Sequence, residues 1–447
     1  MTRRDHDVRA SEERLNGVGR RMAYGASDRS FDARILDPVS TPAASSSPEA
    51  SSIGRNLAIV RKARGLSQQQ LAERLHVSRS LVEKVEHGSR AATPALIEAA
   101  ARVLGCSITD LSGQPYRGEN HADEQAHATI GQIRRAISHH DLPPDLGDTE
   151  SRPLFQLRED VRRANRLRHR ARLTALGAMI PGLIIELTAA AHTTTGDQRA
   201  EAFALLVEAY AAANQVAYKL GYEDLSNQLV DRIRWAAGHT GDPLVGNLAD
   251  WMYAGCLRTL GFYRPALGVL HNAWRTLDLS TGCMTPRQLS MYGSLHLQAA
   301  MVEARAGHPD NTRTHLTEAA DAAGLLRVDT DHFQLAFGPS NTAIYRVATA
   351  VELGDGTRAV TEAATICLPS SVPVERSAHH YLDLSRAWLW HGNREQALRS
   401  LLKAERLAPQ QTRIHPMARE TVRVLLRQDR RRSDSLSGLA KRVHVAL

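Results

Sequence analysis

The sequence predicts an all-α protein, and three observations carry that prediction. Of its 447 residues 43% are hydrophobic but only 5% aromatic, so Ala and Leu are plentiful while the Val, Ile and aromatic alternation that sheets need is scarce. Apolar residues recur at spacings of three and four, as one face of a helix requires. Helix-capping chemistry marks the segment boundaries along most of the chain.

The clearest segment is IGRNLAIVRKARGLSQQQLAERLHVSRSLVEKVEHGSRAATPALIEAAARVLGCSITDL, residues 53–111. It divides into five short helices. Ser67 and Gln70 form an S-x-x-Q capping box before Leu71, Ala72 and Leu75. Ser78 can cap the next helix, which ends at Gly88, and Thr93 followed by Pro94 gives an N-cap with proline at the first helical position. Gly65 and Gly105 suit left-handed C-terminal positions. The apolar sets Ile53, Leu57, Val60; Leu71, Leu75; Val77, Val82, Val85; and Leu96, Ile97, Ala100, Leu104 supply inward faces. Helices this short are not stable singly in water and must share one core.

The second and third helices are separated by about three residues, His76, Val77 and Ser78, the turn length of a helix-turn-helix. The strings GLSQQQLAERLHVSRSLVEKVEHG and VLGCSITDL resemble the lambda-repressor-like, Xre-type DNA-binding domain across the whole five-helix unit, residues 53–112. If Val82 and Val85 point inward, Ser78, Arg79, Ser80, Glu83 and Lys84 lie on or near the opposite face, available to a major groove. The resemblance and the helical spacing together make Arg79, Ser80 and Lys84 the base-reading candidates, since Arg and Lys can donate to guanine O6 and N7. Gln68 is expected to bond a phosphate, with Ser78 and Arg90 as further phosphate candidates; the alternative for each is an ordinary wet helix face. The resemblance also implies that Arg61 and Glu86 form an ion pair inside the domain, bridging its first and third helices. Leu81 departs from the small polar residue usual there, and would either meet a thymine methyl or cover the helix edge.

Net charge is +8 and pI about 9.5, which suits a polyanionic partner. Within residues 53–112 nine cations (Arg55, Arg61, Lys62, Arg64, Arg74, Arg79, Lys84, Arg90, Arg102) outnumber five acids (Glu73, Glu83, Glu86, Glu98, Asp110), an excess of four. Cys106, Cys256, Cys283 and Cys367 are too scattered for a disulfide framework and favour a reducing cytoplasm. The longest apolar run, Leu176 to Ala191, is interrupted by Pro181 and Glu186, and no membrane span is expected. The N-terminus lacks a secretory apolar centre.

Residues 1–52 contain VSTPAASSSPEASS and are expected to be a disordered tail, with Met1 and Met22 both candidate starts. Residues 113–152 read as a linker with one candidate helix, Ala122 to His140, before the loop DLPPDLGDTESRP. From 153 to 447 longer amphipathic helices follow, beginning near Leu154, Leu173, Gln198, Asp224, Pro243, Arg264, Pro286, Asp310, Pro339, Gly356, Glu375, Arg394 and Pro416. Gly221, Gly261, Gly307, Gly354 and Gly392 each end one helix and precede another rich in Ala and Leu, at intervals of about 38 to 47 residues. This resembles a divergent tetratricopeptide-type α-solenoid. With LVEAYAAANQVAYKLG, FGPSNTAIYRVATAVELGD and HPMARETVRVLL, the region resembles the sensor half of large bacterial regulators that join an Xre-type domain to such repeats. That likeness implies a regulatory role without naming a ligand.

Trp251, Tyr253, Phe262, Tyr263 and Trp274 are candidates for an apolar ligand groove on one helix pair, although core packing is the plainer account of them. No catalytic motif occurs: there is no G-x-S-x-G, Walker glycine loop or dinucleotide fingerprint. Among the twenty histidines, His139 and His140 fall in the linker and His379 and His380 diverge by about 100° on a helix, so neither metal nor cofactor is expected. Gly338 to Asn341 reads as a turn capped by Ser340, and Arg430 to Arg432 as an exposed loop before a short closing helix. The expected partners are duplex DNA, a second copy of the chain in a homodimer, and a peptide, protein or small-molecule effector. The expected role is sequence-specific transcriptional regulation; the alternative is a repeat adaptor that the DNA-binding domain merely localises.

Overall fold

The computed structural model describes residues 52–116, 121–144, 152–277, 284–428 and 433–446, and among these every regular element is helical. The expected tail at 1–51 and the loop at 430–432 lie outside the described residues. Ser52 belongs to the fold rather than to a tail: it is buried, and its hydroxyl accepts from the Arg55 N–H at 3.1 Å.

The first five described helices are α1 (Ile53–Ala63), α2 (Gln68–Leu75), α3 (Arg79–Glu86), α4 (Pro94–Leu104) and α5 (Ile108–Ser112). Their ends form where the caps stand. Ser67 and Gln70 make both bonds of the capping box, and the hydroxyls of Ser78 and Thr93 accept from the N–H groups of Leu81 and Leu96. Leu71, Val82, Val85 and Ala100 are wholly buried in the shared core.

The segment expected as one linker helix is two, α6 (His121–Ala128) and α7 (Ile130–Ile137), packed against the later helices. Thr129 separates them, its hydroxyl bonding back to the Ala126 carbonyl at 2.7 Å. A side chain at Gly177 would stand 2.4 Å from that hydroxyl oxygen, so a glycine is required where the following helical layer meets the break.

Then come α8 (Leu154–His169) and α9 (Leu173–Thr193), followed by consecutive helix pairs: α10 (Gly196–Leu220) with α11 (Glu223–Ala237), α12 (Pro243–Thr259) with α13 (Tyr263–Thr276), α14 (Pro286–Ala306) with α15 (Pro309–Leu326), α16 (Pro339–Glu352) with α17 (Gly356–Ala364), and α18 (Val374–Trp390) with α19 (Arg394–Leu407). Each pair turns at a repeat glycine, Gly221, Gly261, Gly307, Gly354 or Gly392, all at positive φ. The first helices of successive pairs touch: α12 meets α14, α14 meets α16, and α16 meets α18. Short connections of this kind make antiparallel pairs, and their stacking makes a solenoid.

Three helices close the array, α20 (Pro409–Ile414), α21 (Pro416–Gln428) and α22 (Asp434–Arg442). Helix α9 contains the apolar run noted in the sequence and is long and apolar enough to cross a membrane by length and composition alone. It instead buries Leu176, Ile180, Ile184 and Leu187 completely against its neighbours, with Pro181 accommodated inside it. Ser340 is also not a cap; α16 begins at Pro339, and the Ser340 N–H donates to Asp329 Oδ1 at 2.9 Å.

Candidate nucleic-acid interface

Helix α2 stops at His76, which adopts the left-handed conformation (φ 54°), and the chain turns through Val77 to the Ser78 cap of α3. Val82 and Val85 are completely buried. The same 100° geometry that sends them inward leaves Ser78, Arg79, Ser80, Glu83 and Lys84 exposed. Neither Arg79 nor Lys84 has a side-chain hydrogen bond or ion pair among the described residues, so two cations are held outward on the helix. Leu81 is half-buried against the domain core, which accounts for an apolar residue at that edge.

Beneath this face Arg61 and Glu86 meet in a two-point pair, Nε to Oε1 at 2.6 Å and Nη2 to Oε2 at 2.9 Å, joining α1 to α3. A third bond runs from Arg61 Nη1 to the Leu66 carbonyl at 2.5 Å. Burial alone would raise the Glu86 carboxyl, but hydrogen bonds from Arg61 and Gln68 outweigh it and hold the group below the ordinary carboxylate value. The Gln68 amide donates to Glu86 Oε2 at 2.7 Å, a bond the sequence did not disclose. It orients Gln68 at the start of α2 and leaves its second amide N–H unassigned. Arg90 is exposed just beyond α3.

Among the described residues, the solenoid reaches this domain beyond the C-terminal end of α3, whose outer face stays exposed. The Arg427 guanidinium donates to the His87 carbonyl and Gln428 Nε2 to the Ser89 carbonyl at 3.4 Å, both beyond the C-terminal end of α3. Leu382, Leu401, Met417, Val422 and Leu425 continue the same hydrophobic core as Leu57, Leu71 and Val85. On the other side α4 docks by polar contacts: Arg102 donates to the Gly261 carbonyl at 3.1 Å, Tyr263 donates to Glu98 Oε2 at 2.7 Å, and Arg305 pairs with Glu98 Oε1.

The five aromatics stand in different surroundings. Trp251 donates to the Ser294 carbonyl at 3.0 Å, and Arg234 lies 4.3 Å over the Tyr253 ring. Phe262 is 50% exposed, Tyr263 bonds Glu98 of α4, and Trp274 stacks on His296 and His315. Two cavities, of about 930 Å³ beside Asn393 and Leu436 and about 350 Å³ beside Glu208, Asp242 and Phe333, are lined by other residues. No group of three or more His, Cys, Asp or Glu among the described residues is placed to hold a metal ion.

Residues 57–111 match the helix-turn-helix family model, so this segment is a helix-turn-helix domain. Over 59 residues the chain is 37% identical to the competence pilus inhibition repressor of Acinetobacter baylyi, a match covering 13% of this chain and 54% of the repressor. Among solved structures, the chain is similar to Bacillus thuringiensis PlcR in complex with the peptide PapR7 and DNA. The TM-score is 0.27 at 18% identity, over 62% of this chain and 96% of that one.

Proposed function

We propose that this protein is a cytoplasmic bacterial transcriptional regulator that binds duplex DNA as a homodimer, its solenoid receiving a peptide, protein or small-molecule signal. One observation carries the reading: a helix-turn-helix whose third helix presents Arg79, Ser80 and Lys84 outward, exposed among the described residues. Arg79, Ser80 and Lys84 reach base edges in the major groove, while Gln68, Ser78 and Arg90 contact phosphates and fix the register. A single unit of this kind makes few base contacts, so specific binding calls for two copies on half-sites about 34 Å apart. The repressor similarity over this segment supports the same assignment.

The adaptor alternative treats the DNA-binding unit as a passive tether. A core continuous from Leu57 to Leu425 weighs against it, because a tether needs no such integration. Gel shifts of the full-length protein at physiological salt test the choice. A regulator retains one preferred duplex against excess competitor DNA; a localising module binds all duplexes alike and fades uniformly with salt.

A further inference from the structure

The first helices of the five pairs carry charged residues at their C-terminal ends, close before the repeat glycines: Lys219 on α10, Arg258 on α12, Arg305 on α14, Glu352 on α16 and Arg386 on α18. Because α12, α14, α16 and α18 stack side by side, the row from Arg258 to Arg386 is continuous, and Lys219 stands at the end of α10. Arg305 bridges Glu98 and Glu352, and Arg386 bridges Glu352 and Asp383. Glu98, only 4% exposed, is the DNA-binding domain's own residue, inserted into the solenoid's row and also bonded by Tyr263.

Two cations are left over. Lys219 and Arg258 take part in no ion pair among the described residues, and Arg258 Nε is shielded from solvent without a hydrogen-bond partner. The carboxylates around them are already engaged: Glu375 with Arg376, Glu352 with Arg305 and Arg386, Asp383 with Arg386, and Glu98 with Arg305. Desolvation disfavours the charge on both Lys219 and Arg258, and Arg305 adds repulsion at Arg258. Tyr218 connects the two: Lys219 Nζ lies 5.9 Å from its ring centre, and its phenol is within electrostatic reach of Arg258 and Arg305. That ring is 49% exposed, so the place opens to solvent. Half-buried cations whose neighbouring carboxylates, Glu375 and Asp383 at Lys219 and Glu98 at Arg258, are already shared with other cations, beside a phenol donor and an opening, have the composition of an anion site.

We propose that Lys219 and Arg258, with Tyr218 and Arg305, bind a small oxyanion carrying carboxylate or phosphate groups, which competes with Glu98 of α4 for Arg258 and Arg305. The inference deepens the sensing role given above: occupancy of the solenoid would weaken one of the bonds that seat the DNA-binding domain. Its binding step needs no DNA, so it fails or stands separately from the regulator reading.

The test is calorimetric titration of the full-length protein, free of phosphate buffer, with citrate and with pyrophosphate at physiological salt. Saturable binding of citrate identifies the carboxylate chemistry, and that of pyrophosphate the phosphate chemistry. Arg258→Met and Lys219→Met should each weaken binding by about tenfold or more. Glu98→Gln should tighten it several-fold, a gain that misfolding cannot produce. In the wild type the anion should also speed amide hydrogen exchange across residues 94–104. Failure of both anions to saturate, binding indifferent to the two cation variants, or weaker binding in Glu98→Gln would overturn the proposal.

Discussion

The side chains beneath the DNA-facing surface divide into those that build it and those free to use it. Arg61 and Glu86 are builders: truncating Arg61 to Met strands a buried carboxylate, and should destabilise the domain by about 3 to 5 kcal/mol in chemical unfolding. The pH dependence follows from the depressed Glu86 carboxyl. Its stabilisation is full above the unfolded carboxylate value, near 4.3, and is lost as pH falls through the lower folded value. Glu86→Gln should flatten that part of the stability profile. Gln68 now has two tasks, since the amide expected at a phosphate also bonds Glu86. Gln68→Ala should weaken preferred and competitor duplexes alike and leave the salt slope unchanged, because no charge is removed; competition binding measures both. The pairing of Arg61 with Glu86 was legible from the domain's resemblance, whereas the Gln68 bond was not. It depends on how α2 is set against the end of α3, which no local pattern records.

Helices were legible where a cap or a repeat glycine announces them. Ser67, Ser78, Thr93 and Gly105 mark ends that the structure has, and the long helices begin within a few residues of Pro243, Pro286, Pro339 and Pro416. The break at Thr129 was not visible in the local pattern; it sits where Thr129 packs closely on Gly177, a contact between distant residues. Nor was the charged row before the repeat glycines read as a unit, since its partners are about 35 to 50 residues apart and meet only when the first helices stack. The aromatic residues, neighbours in sequence, stand in different surroundings. Trp274 lies over a pair of buried histidines, His296 and His315, whose Nδ1 atoms are 3.1 Å apart. Burial depresses both, His315 to about 4, so the fold must keep the pair neutral. The unfolded chain therefore takes up more protons between roughly pH 6.5 and 4, and stability should fall with pH across that window. His315→Phe should reduce the fall, as followed by thermal unfolding from pH 7.5 to 4.5.

At the scale of the whole molecule the helix-turn-helix is not a bead on a string. Its core runs into α18, α19, α21 and α22, and its α4 is bonded to the repeats through Glu98 and Arg102. A fragment ending at residue 116 would expose Leu57, Val85 and their neighbours where Leu382, Met417 and Leu425 now lie, and should unfold at a lower temperature than the same helices in the full chain. Such integration gives the solenoid a physical hold on where α3 points; in the regulator proposed above, a shift in the repeats would alter whether two copies meet half-sites one helical turn apart.

The central claim is that the outward face of α3 reads sequence. Its most direct measurement compares wild type and Arg79→Ala on the preferred duplex and on a scrambled one at a single salt concentration. The specificity ratio should drop by the ~1 to 3 kcal/mol of a lost base contact, with scrambled-site affinity changing much less. An equal loss on both duplexes would contradict the account, because Arg79 would then be holding phosphate rather than reading bases.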